Sequence, residues 1–372
     1  MKKVLFLIHD LGQGGAEKVL VNLVNNLDKE KFDVTVMSLF DVGENKQNLD
    51  SSVHYKYCFK YMIRGNSYLM KLLSPKQLHN WLIKDYYDIE IAFLEGPSAR
   101  VISGCNNKDT KLVSWIHCQF KESKEAAASF RNIEEATGCY NKFNKIICVS
   151  NDVRNSFKDA LKLRIPIEVL YNTNDSESII RKGKESVSVC KDTLNIIGIG
   201  KLTNNKGFHR VLPIVNKLIH DDNLKVHYYI LGSGSLENKL KEMIDLYKLN
   251  DSVTLLGYQM NPYKYLSKMD LYVCSSYSEG FSTAATEALI LGIPTCTVDV
   301  PGMKEMLGEN EYGLITENVD EELYKGIKIL LCDSNLLEHY KKQALIRGKT
   351  FNLNNTTKAV EEMLMKLSEE VL

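Results

Sequence analysis

The sequence predicts an α/β protein made of two doubly wound domains. Short apolar runs alternate with helical patterns along the chain, which is the order of elements in a parallel sheet covered by helices. A polar, aperiodic stretch at residues 174–191 interrupts this alternation, which then starts again. The 372 residues are enough for two domains with a core each, and one large α/β domain is the alternative.

The first predicted domain covers residues 1–173 and opens on a buried strand at residues 4–9. A glycine-rich turn and a helix over residues 16–27 follow this strand. Further strands are predicted at residues 32–39, 89–94, 111–116 and 145–149. The helical pattern at residues 353–372 is expected to pack back onto this domain.

Residues 174–191 are predicted to be the interdomain linker, and residues 192–352 the second domain. Its strands are predicted at residues 195–200, 226–231, 253–256, 271–275 and 294–298, and its helices at residues 208–220, 236–248 and 283–291. In such sheets, ligands bind beyond the carboxyl ends of the strands, in the loops that lead into the helices. Two domains of this kind therefore predict a ligand cleft between them.

The composition is that of an ordinary globular protein, with 44% hydrophobic and 25% charged residues. Lysine and arginine total 47, as do aspartate and glutamate, which argues against a dedicated DNA-binding protein. Nine cysteines form no CxxC pair, so their pattern indicates neither a disulfide framework nor a zinc site and fits a reducing cytosol. The first apolar run is too short for a signal peptide, and no run is long enough to span a bilayer. We therefore expect a cytoplasmic protein.

Residues 200–207, with the sequence GKLTNNKG, follow a predicted strand and precede a helix. Lys201 and Lys206 place two ammonium groups on this loop, beside a helix amino terminus. Ammonium groups in that position bind an anion such as a diphosphate. Two solvated surface lysines are the alternative.

Residues 279–287, with the sequence EGFSTAATE, follow another strand of the second domain. Gly280 allows a tight turn, and Ser282 or Thr283 caps the next helix, whose first backbone N–H groups offer a second anion site. Glu279 and Glu287 can then accept hydrogen bonds from hydroxyl groups of the same ligand. A nucleotide sugar has this layout, with hydroxyl groups on both sides of a diphosphate. A solvent-facing Glu287 is the alternative.

A third loop, GQGGAE at residues 12–17, follows the first strand. It departs from the GxGxxG dinucleotide fingerprint because Glu17 stands where the third glycine is required. A nicotinamide dehydrogenase is therefore disfavoured. Gly14 and Gly15 still permit close approach of a ligand to the backbone.

The E-x7-E pair of Glu279 and Glu287, within SSYSEGFSTAATEALILGIP, resembles the most specific motif of a known family. The family is the retaining GT-B glycosyltransferases of family 4, also called glycosyl transferases group 1, which includes bacterial capsule and exopolysaccharide enzymes. The GKLTNNKG loop and the early Gly-Gly-x-Glu support the resemblance independently, and it covers nearly the whole chain. It implies two Rossmann-like domains that face each other across a cleft.

The resemblance also implies roles for individual residues. Glu287 would bind the donor ribose, and Glu279, His117 and Lys206 would be the catalytic residues, with His117 near the donor sugar. The donor diphosphate would be bound by Lys201, Lys206, Gly14, Gly15, Gly280, Phe281 and Ser282. The family commonly has arginine where this chain has Lys201, and an ammonium group cannot make the forked contact of a guanidinium.

No D-x-D motif follows a predicted strand, so we expect neither a metal ion nor another cofactor at the reaction site. The lysines and helix ends would then stabilise the leaving diphosphate. The acceptor hydroxyl would attack from the same face of the sugar and give its proton to the departing phosphate oxygen. The expected reaction moves a hexose or N-acetylhexosamine, with retention, from a nucleotide sugar such as a UDP-sugar. The expected acceptor is a lipid-linked glycan or another glycan in cell-surface polysaccharide synthesis.

Residues 51–84 form a basic stretch with interleaved aromatic residues and no acidic residue. The basic residues are Lys56, Lys60, Arg64, Lys71, Lys76 and Lys84, and the aromatic residues are Tyr55, Tyr57, Phe59, Tyr61, Tyr68 and Trp81. Such a stretch can dock on anionic lipid at the inner face of the plasma membrane, where a lipid-linked acceptor would be met. A solvated basic face is an equal alternative. Nucleic acid is not an expected partner, because the sequence shows no recognised binding module.

Two other function classes remain open. A GT-B-fold nucleotide-sugar epimerase would bind the same donor but convert it without an acceptor. A non-catalytic sugar-nucleotide-binding subunit would need no reactive groups, and the presence of Glu279, Lys206 and His117 argues against it.

Overall fold

The computed structural model describes residues 1–62 and 65–369, so Arg64 of the basic stretch lies outside the described residues. Contacts divide the chain into two compact units. Unit 1 holds Met1–Thr173 together with the chain from Asn354 onward, and unit 2 holds Asn174–Leu353. Each unit is built on a parallel sheet with helices in the connections, which confirms the predicted α/β fold class.

Unit 1 is built on a sheet of parallel strands. They are β1 (Lys2–Ile8), β2 (Phe32–Phe40), β3 (His54–Phe59), β4 (Ile89–Phe93), β5 (Lys111–Ile116), β6 (Lys145–Cys148) and β7 (Ile167–Val169). Their order across the sheet is β3-β2-β1-β4-β5-β6-β7. Every residue of β4 and β5 is buried, as expected for inner strands with both faces covered.

The connections of unit 1 contain helices whose starts are set by local capping. They are α1 (Gly15–Asn26), α2 (Asn66–Met70), α3 (Pro75–Leu82), α4 (Pro97–Ile102), α5 (Ser123–Ala126), α6 (Ile133–Tyr140) and α7 (Asn151–Ala160). Helix α3 has proline at its first position and a capping box, in which Ser74 Oγ accepts from the Gln77 N–H at 3.3 Å and Gln77 Oε1 accepts from the Ser74 N–H at 2.9 Å. These bonds satisfy backbone donors that a helix start otherwise leaves without partners.

Unit 2 repeats the same plan. Its strands are β8 (Leu194–Ile199), β9 (Val226–Leu231), β10 (Val253–Gly257), β11 (Leu271–Cys274), β12 (Thr295–Val298) and β13 (Leu314–Thr316). Its helices are α8 (Ser176–Gly183), α9 (Phe208–His220), α10 (Glu237–Leu246), α11 (Tyr263–Leu266), α12 (Thr283–Ile290), α13 (Met303–Leu307), α14 (Asp320–Cys332) and α15 (Ser334–Gly348). The strand order is β10-β9-β8-β11-β12-β13, and all pairs are parallel.

Both sheets reverse their strand order beside their first strand. In unit 1 this switch point lies between β1 and β4, and in unit 2 it lies between β8 and β11. The loops that leave the carboxyl ends of these two strands diverge to opposite faces of the sheet and open a crevice. The topology therefore predicts one ligand-binding edge in each unit.

Helix α16 (Leu353–Glu369) packs on unit 1. The Asp28 N–H donates to Glu361 Oε1 at 2.8 Å, and Val360, Leu364 and Leu367 are buried. Within residues 1–62 and 65–369, no helix combines the length and the apolar character needed to cross a membrane.

The structure differs from the predicted linker at residues 174–191, because their first half is the helix α8. Asp175 caps this helix by accepting from the Ser178 N–H at 2.9 Å, and Ile179 is buried. Ser267 Oγ donates to the carbonyl oxygen of Gly183 at 2.6 Å, which ties the end of α8 to unit 2. A single buried isoleucine gives no apolar period, so the stretch looks aperiodic in sequence although it folds.

Candidate functional site

Two loops meet at the switch point of unit 2. The lysine loop (residues 200–207) follows β8, and the glutamate loop (residues 275–282) follows β11. Strands β8 and β11 are neighbours, with Leu271 opposite Ile196 and Tyr272 opposite Ile197. Since neighbouring parallel strands end at the same edge, the two loops leave the sheet side by side.

The centre of this site is an ion pair between the two loops. Lys206 Nζ lies 2.6 Å from Glu279 Oε1, and Ser276 Oγ donates to the same oxygen at 2.5 Å. The Glu279 side chain is 9% exposed and the Lys206 side chain is 28% exposed. The pair is therefore partly shielded from water. An interaction between charges is stronger in such a place than on an open surface.

Backbone contacts hold the two loops together. The Tyr277 N–H donates to the carbonyl oxygen of Asn205 at 2.8 Å, and Asn205 Nδ2 donates to the carbonyl oxygen of Ser278 at 2.9 Å. Gly207 has a φ of +67°, and a Cβ there would lie 2.1 Å from the carbonyl oxygen of Ser275. Only glycine permits this approach, which brings Lys206 to Glu279.

Helix α12 continues from the glutamate loop and carries Glu287. Ser282 Oγ caps it by accepting from the Ala285 N–H at 3.4 Å. Glu287 is buried and accepts a hydrogen bond from the hydroxyl of Tyr263 at 3.2 Å. The alternative of a solvent-facing Glu287 is therefore wrong.

The remaining predicted residues of unit 2 lie on the same loops. Lys201 is exposed on the lysine loop, five residues before Lys206. Gly280 and Phe281 lie between Glu279 and the helix, and the Phe281 ring packs 5.8 Å from the ring of Phe351. The unit thus brings together two cations, two carboxylates and a helix start at one edge of its sheet.

Gly14, Gly15 and His117 belong to unit 1, at the carboxyl edge of its own sheet. Gly14 and Gly15 open α1 directly after the β1 loop. His117 follows β5, and its N–H donates to Glu95 Oε2 at 2.9 Å.

The imidazole of His117 is held in an apolar environment. Its ring centroid lies 4.7 Å from that of Phe93, and its Nε2 has no hydrogen-bond partner among the described residues. Burial lowers the pKa of His117 to about 3. The imidazole is therefore neutral near pH 7 and can donate or accept a hydrogen bond, but it holds no positive charge.

Several residues that shape these sites are not predicted from the sequence. In unit 2, the guanidinium of Arg210 stacks 4.8 Å from the ring of Tyr277 in the glutamate loop and donates to Asp320 at 2.6 Å. In unit 1, Glu95 lies between Leu94 with φ 87° and Gly96 with φ 83°. No sequence pattern predicts a role for Arg210. Glu95 can be predicted as a site residue, because it directly follows a predicted buried strand.

The basic stretch of unit 1 divides into a folded edge and an exposed apolar surface. Lys56 pairs with Asp85 at 2.6 Å, the Tyr55 hydroxyl donates to Asp41 at 2.9 Å, and Phe59 packs against the ring of Trp81 at 5.5 Å. Besides Tyr57 on β3, the exposed apolar side chains of this region, called here the aromatic surface, are Tyr61, Met62, Tyr68, Leu69, Leu72 and Trp81.

Two arginines bind the backbone around Leu72 of the aromatic surface. Arg100, which is 1% exposed, donates to the carbonyl oxygens of Met70 and Leu73 at 2.7 and 2.8 Å. Arg131 donates to the carbonyl oxygens of Lys71 and Leu72 at 2.7 and 2.9 Å. Four successive carbonyl groups, at residues 70–73, are thus bound, so the exposed side chain of Leu72 projects from a fixed segment.

Two family models match this chain. Glycosyltransferase Family 4 matches residues 13–178, and Glycosyl transferases group 1 matches residues 181–347. Among similar structures is HepE of Anabaena in complex with UDP-glucose, with a TM-score of 0.76 and 18% identity, covering 98% of this chain and 100% of that chain. The fold of the chain is therefore the GT-B fold.

Two similar proteins come from Campylobacter jejuni. One is N-acetylgalactosamine-N,N'-diacetylbacillosaminyl-diphospho-undecaprenol 4-alpha-N-acetylgalactosaminyltransferase, which is 29% identical over 365 residues, 95% of this chain and 96% of that protein. The other is GalNAc-alpha-(1->4)-GalNAc-alpha-(1->3)-diNAcBac-PP-undecaprenol alpha-1,4-N-acetyl-D-galactosaminyltransferase, which is 26% identical over 394 residues, 100% of this chain and 99% of that protein. With the two family matches spanning most of its length, the chain belongs to the group 1 glycosyltransferases of family 4.

Proposed function

We propose that this glycosyltransferase moves a hexose or an N-acetylhexosamine from a UDP-sugar to a lipid-linked or glycan acceptor, with retention of configuration. The observation that carries the proposal is the Lys206–Glu279 pair, which places a cation 2.6 Å from a carboxylate at the switch point of unit 2. The HepE complex with UDP-glucose supports a UDP-sugar donor. The names of the Campylobacter relatives support an N-acetylhexosamine and an acceptor on undecaprenyl diphosphate.

The donor diphosphate would bind between the lysine loop and the start of α12. An incoming diphosphate competes with Glu279 for the ammonium group of Lys206, because both are oxygen anions. Glu279 would then be released to accept hydrogen bonds from hydroxyl groups of the transferred sugar. Ser276, which already donates to Glu279 at 2.5 Å, would hold the carboxylate in position during this exchange.

The nucleoside would be held deeper in unit 2. Glu287 is buried on α12, and its carboxylate can accept hydrogen bonds from both ribose hydroxyl groups. Tyr263 donates to Oε1 of Glu287 at 3.2 Å and so fixes the direction of the carboxylate. A charged acceptor in a buried site binds a hydroxyl more tightly than a neutral one does.

The leaving diphosphate would be stabilised by Lys206 and Lys201 together with the amino-terminal end of α12. The acceptor hydroxyl attacks the anomeric carbon from the face of the leaving group, and its proton passes to the departing phosphate oxygen. This route needs no metal ion and no charged base, which agrees with a neutral His117. His117 would contribute a hydrogen bond to the donor sugar.

A donor screen followed by a transfer assay tests this function. UDP-GlcNAc, UDP-GalNAc, UDP-Glc, UDP-Gal and GDP-Man are compared for thermal stabilisation, since a ligand at 100 times its Kd adds about 2.7 kcal/mol to the free energy of unfolding. The best donor is then incubated with a polyprenyl-diphosphate-linked N-acetylhexosaminide in the presence of EDTA. We expect stabilisation by UDP-sugars, full transfer in EDTA, and a product with the anomeric configuration of the donor.

Each part of the proposal can fail separately in this assay. Loss of transfer in EDTA with recovery on Mg²⁺ addition would overturn metal-independent transfer. An inverted product would overturn retention. Conversion of the donor in the absence of acceptor would instead identify an epimerase.

We further propose that the aromatic surface of unit 1 contacts anionic lipid, where a lipid-linked acceptor resides. Its apolar side chains are flanked by the exposed Lys60 and Lys76. Apolar side chains insert into a membrane interface, and lysines are attracted to anionic lipid. We expect the protein to float with phosphatidylglycerol vesicles at low salt and the Leu72→Asp variant to bind them markedly less.

Leu246→Asp is the matched control for vesicle binding. Leu246 is 74% exposed in unit 2, and Leu72 is 76% exposed in the aromatic surface, so both changes add a charge at an equally open position. Equal flotation of the two variants, or no flotation of the unmodified protein, would contradict the lipid contact.

A further inference from the structure

Three potential metal ligands lie together in unit 1, away from the loops described above. His79 on α3, Glu90 on β4 and Cys105 after α4 each place one ligand atom within 4.8 Å of the other two. His79 Nε2 lies 2.8 Å from Glu90 Oε2, and their side chains are 11% and 3% exposed. The three residues border a cavity of about 280 Å³ that Tyr87 and Asn107 also line. Two of the three residues are buried and Cys105 is half-buried. Nitrogen, oxygen and sulfur ligands beside a cavity are the arrangement of a metal site with one open position.

The fold builds this cluster from elements that are distant in sequence. The capping box of Ser74 and Gln77 fixes the start of α3 and hence the position of His79 one turn later. Gly104 lies so close to α3 that a Cβ would stand 2.0 Å from the carbonyl oxygen of Pro75. This approach carries Cys105 to His79. The three residues are too far apart in sequence to form a CxxC or similar motif, so the cysteine pattern alone predicts no zinc site.

We propose that His79, Glu90 and Cys105 bind one Zn²⁺ ion, with a water molecule from the cavity as the fourth ligand. Thiolate and imidazole ligands favour zinc over magnesium or calcium, which prefer oxygen. The ligand atoms of a tetrahedral zinc site lie about 3.5 Å apart, so the three side chains need to shift by only about 1 Å.

The charge of the occupied cluster is balanced. Zinc binds neutral imidazole and thiolate, so its entry releases the thiol proton. The thiolate and the Glu90 carboxylate then neutralise the two positive charges of the ion, so no net charge is buried at the site.

The site lies away from the loops proposed for sugar transfer. Glu90 is the second residue of β4, so the cluster lies at the amino-terminal edge of the sheet, opposite the carboxyl edge where His117 lies. An ion there links α3, β4 and the end of α4 without facing the reaction. We therefore infer that zinc stabilises unit 1 and leaves the chemistry of sugar transfer unchanged.

Metal counting on the full-length protein tests the site. The protein is freed of metal with EDTA, dialysed against buffered free Zn²⁺, and assayed for bound zinc and for its unfolding temperature. Co²⁺ is used as a second probe, because a cysteine ligand gives a thiolate-to-cobalt charge-transfer band. We expect one ion per chain, this absorption band, and a rise in unfolding temperature of roughly 5–10 °C at 100 times the Kd.

The Cys105→Ser variant removes one ligand with almost no change in shape, and Cys58→Ser is its matched control. Cys58 is a half-buried cysteine of the same unit outside the cluster. We expect Cys105→Ser to lose the absorption band and the thermal stabilisation and Cys58→Ser to keep both. Absence of zinc from the unmodified protein, or an unchanged band in Cys105→Ser, would overturn the site. His79→Gln provides a second ligand variant, and near-ultraviolet circular dichroism verifies that each variant is folded before metal is added.

Discussion

Replacement of Lys206 by alanine is expected to lower kcat for sugar transfer by roughly 100- to 1,000-fold, the loss seen when a group that stabilises developing charge is removed. Lys206 is held against Glu279 at 2.6 Å with 28% of its side chain exposed, so its charge is directed and partly shielded. In the proposed reaction this charge is needed most when the diphosphate departs. The loss should therefore appear mainly in kcat, and it is measured with saturating donor and acceptor.

Lys217→Ala is the control for this experiment. Lys217 also pairs with a glutamate of unit 2, at 3.3 Å from Glu321, but both side chains are well exposed. Exposed pairs of this kind contribute about 0–1 kcal/mol to stability, so removal of one should leave transfer unchanged. If Lys206→Ala only lowers the unfolding temperature and retains kcat, Lys206 is a structural partner of Glu279 and the proposed role is wrong.

The Glu279→Gln variant tests the role of the carboxylate independently of the role of Lys206. The amide keeps the shape of the side chain and can still accept from Ser276, but it removes the negative charge beside Lys206. We expect a large loss of kcat here as well, because the sugar hydroxyl groups lose a charged acceptor. The double variant with Lys206→Ala and Glu279→Gln should lose little more kcat than either single variant, since the two residues act as one unit.

The sequence predicts the order of the main elements well, because most of them carry a strong local signal. Predicted strands at residues 111–116 and 226–231 and the helix at residues 208–220 have the observed bounds. Each is a run with one clear apolar period and a clear end. Strand β3 is not predicted from the sequence, because it lies within the basic stretch and its place at the sheet edge leaves it half exposed, without a clear apolar period.

Some residues of the candidate site can likewise be predicted from the sequence, and others cannot. Lys206 and Glu279 can be named from sequence because each lies on a loop between a strand and a helix, and parallel neighbours end at one edge. The partners that position them cannot be named in this way. Ser276 reaches Glu279 only through the turn of the glutamate loop, and Arg210 reaches Tyr277 only once α9 packs beside that loop. The cluster of His79, Glu90 and Cys105 is likewise invisible until three elements pack together.

The contribution of His117 to the unfolding free energy of unit 1 is expected to fall by about 2 kcal/mol between pH 7.5 and pH 5. Burial lowers the pKa of the folded histidine from its usual 6.5 to about 3. The carboxylate of Glu95 accepts a hydrogen bond from the backbone N–H of His117, not from its ring. Below pH 6.5 the unfolded chain binds a proton that the folded chain does not take up. The stabilisation by His117 is therefore complete above pH 6.5 and is lost as the pH falls toward 3.

Urea unfolding followed by tryptophan fluorescence measures this effect in the right unit, since Trp81 and Trp115 both lie in unit 1. In His117→Gln the pH dependence should be smaller by about 2 kcal/mol over the same range, whatever the absolute stability of the variant. His54→Gln is the control, because the His54 side chain is 65% exposed on the same sheet. An unchanged pH dependence in His117→Gln would mean that the folded protein accepts the proton. That result would restore a charged His117 as a candidate acid in the transfer reaction.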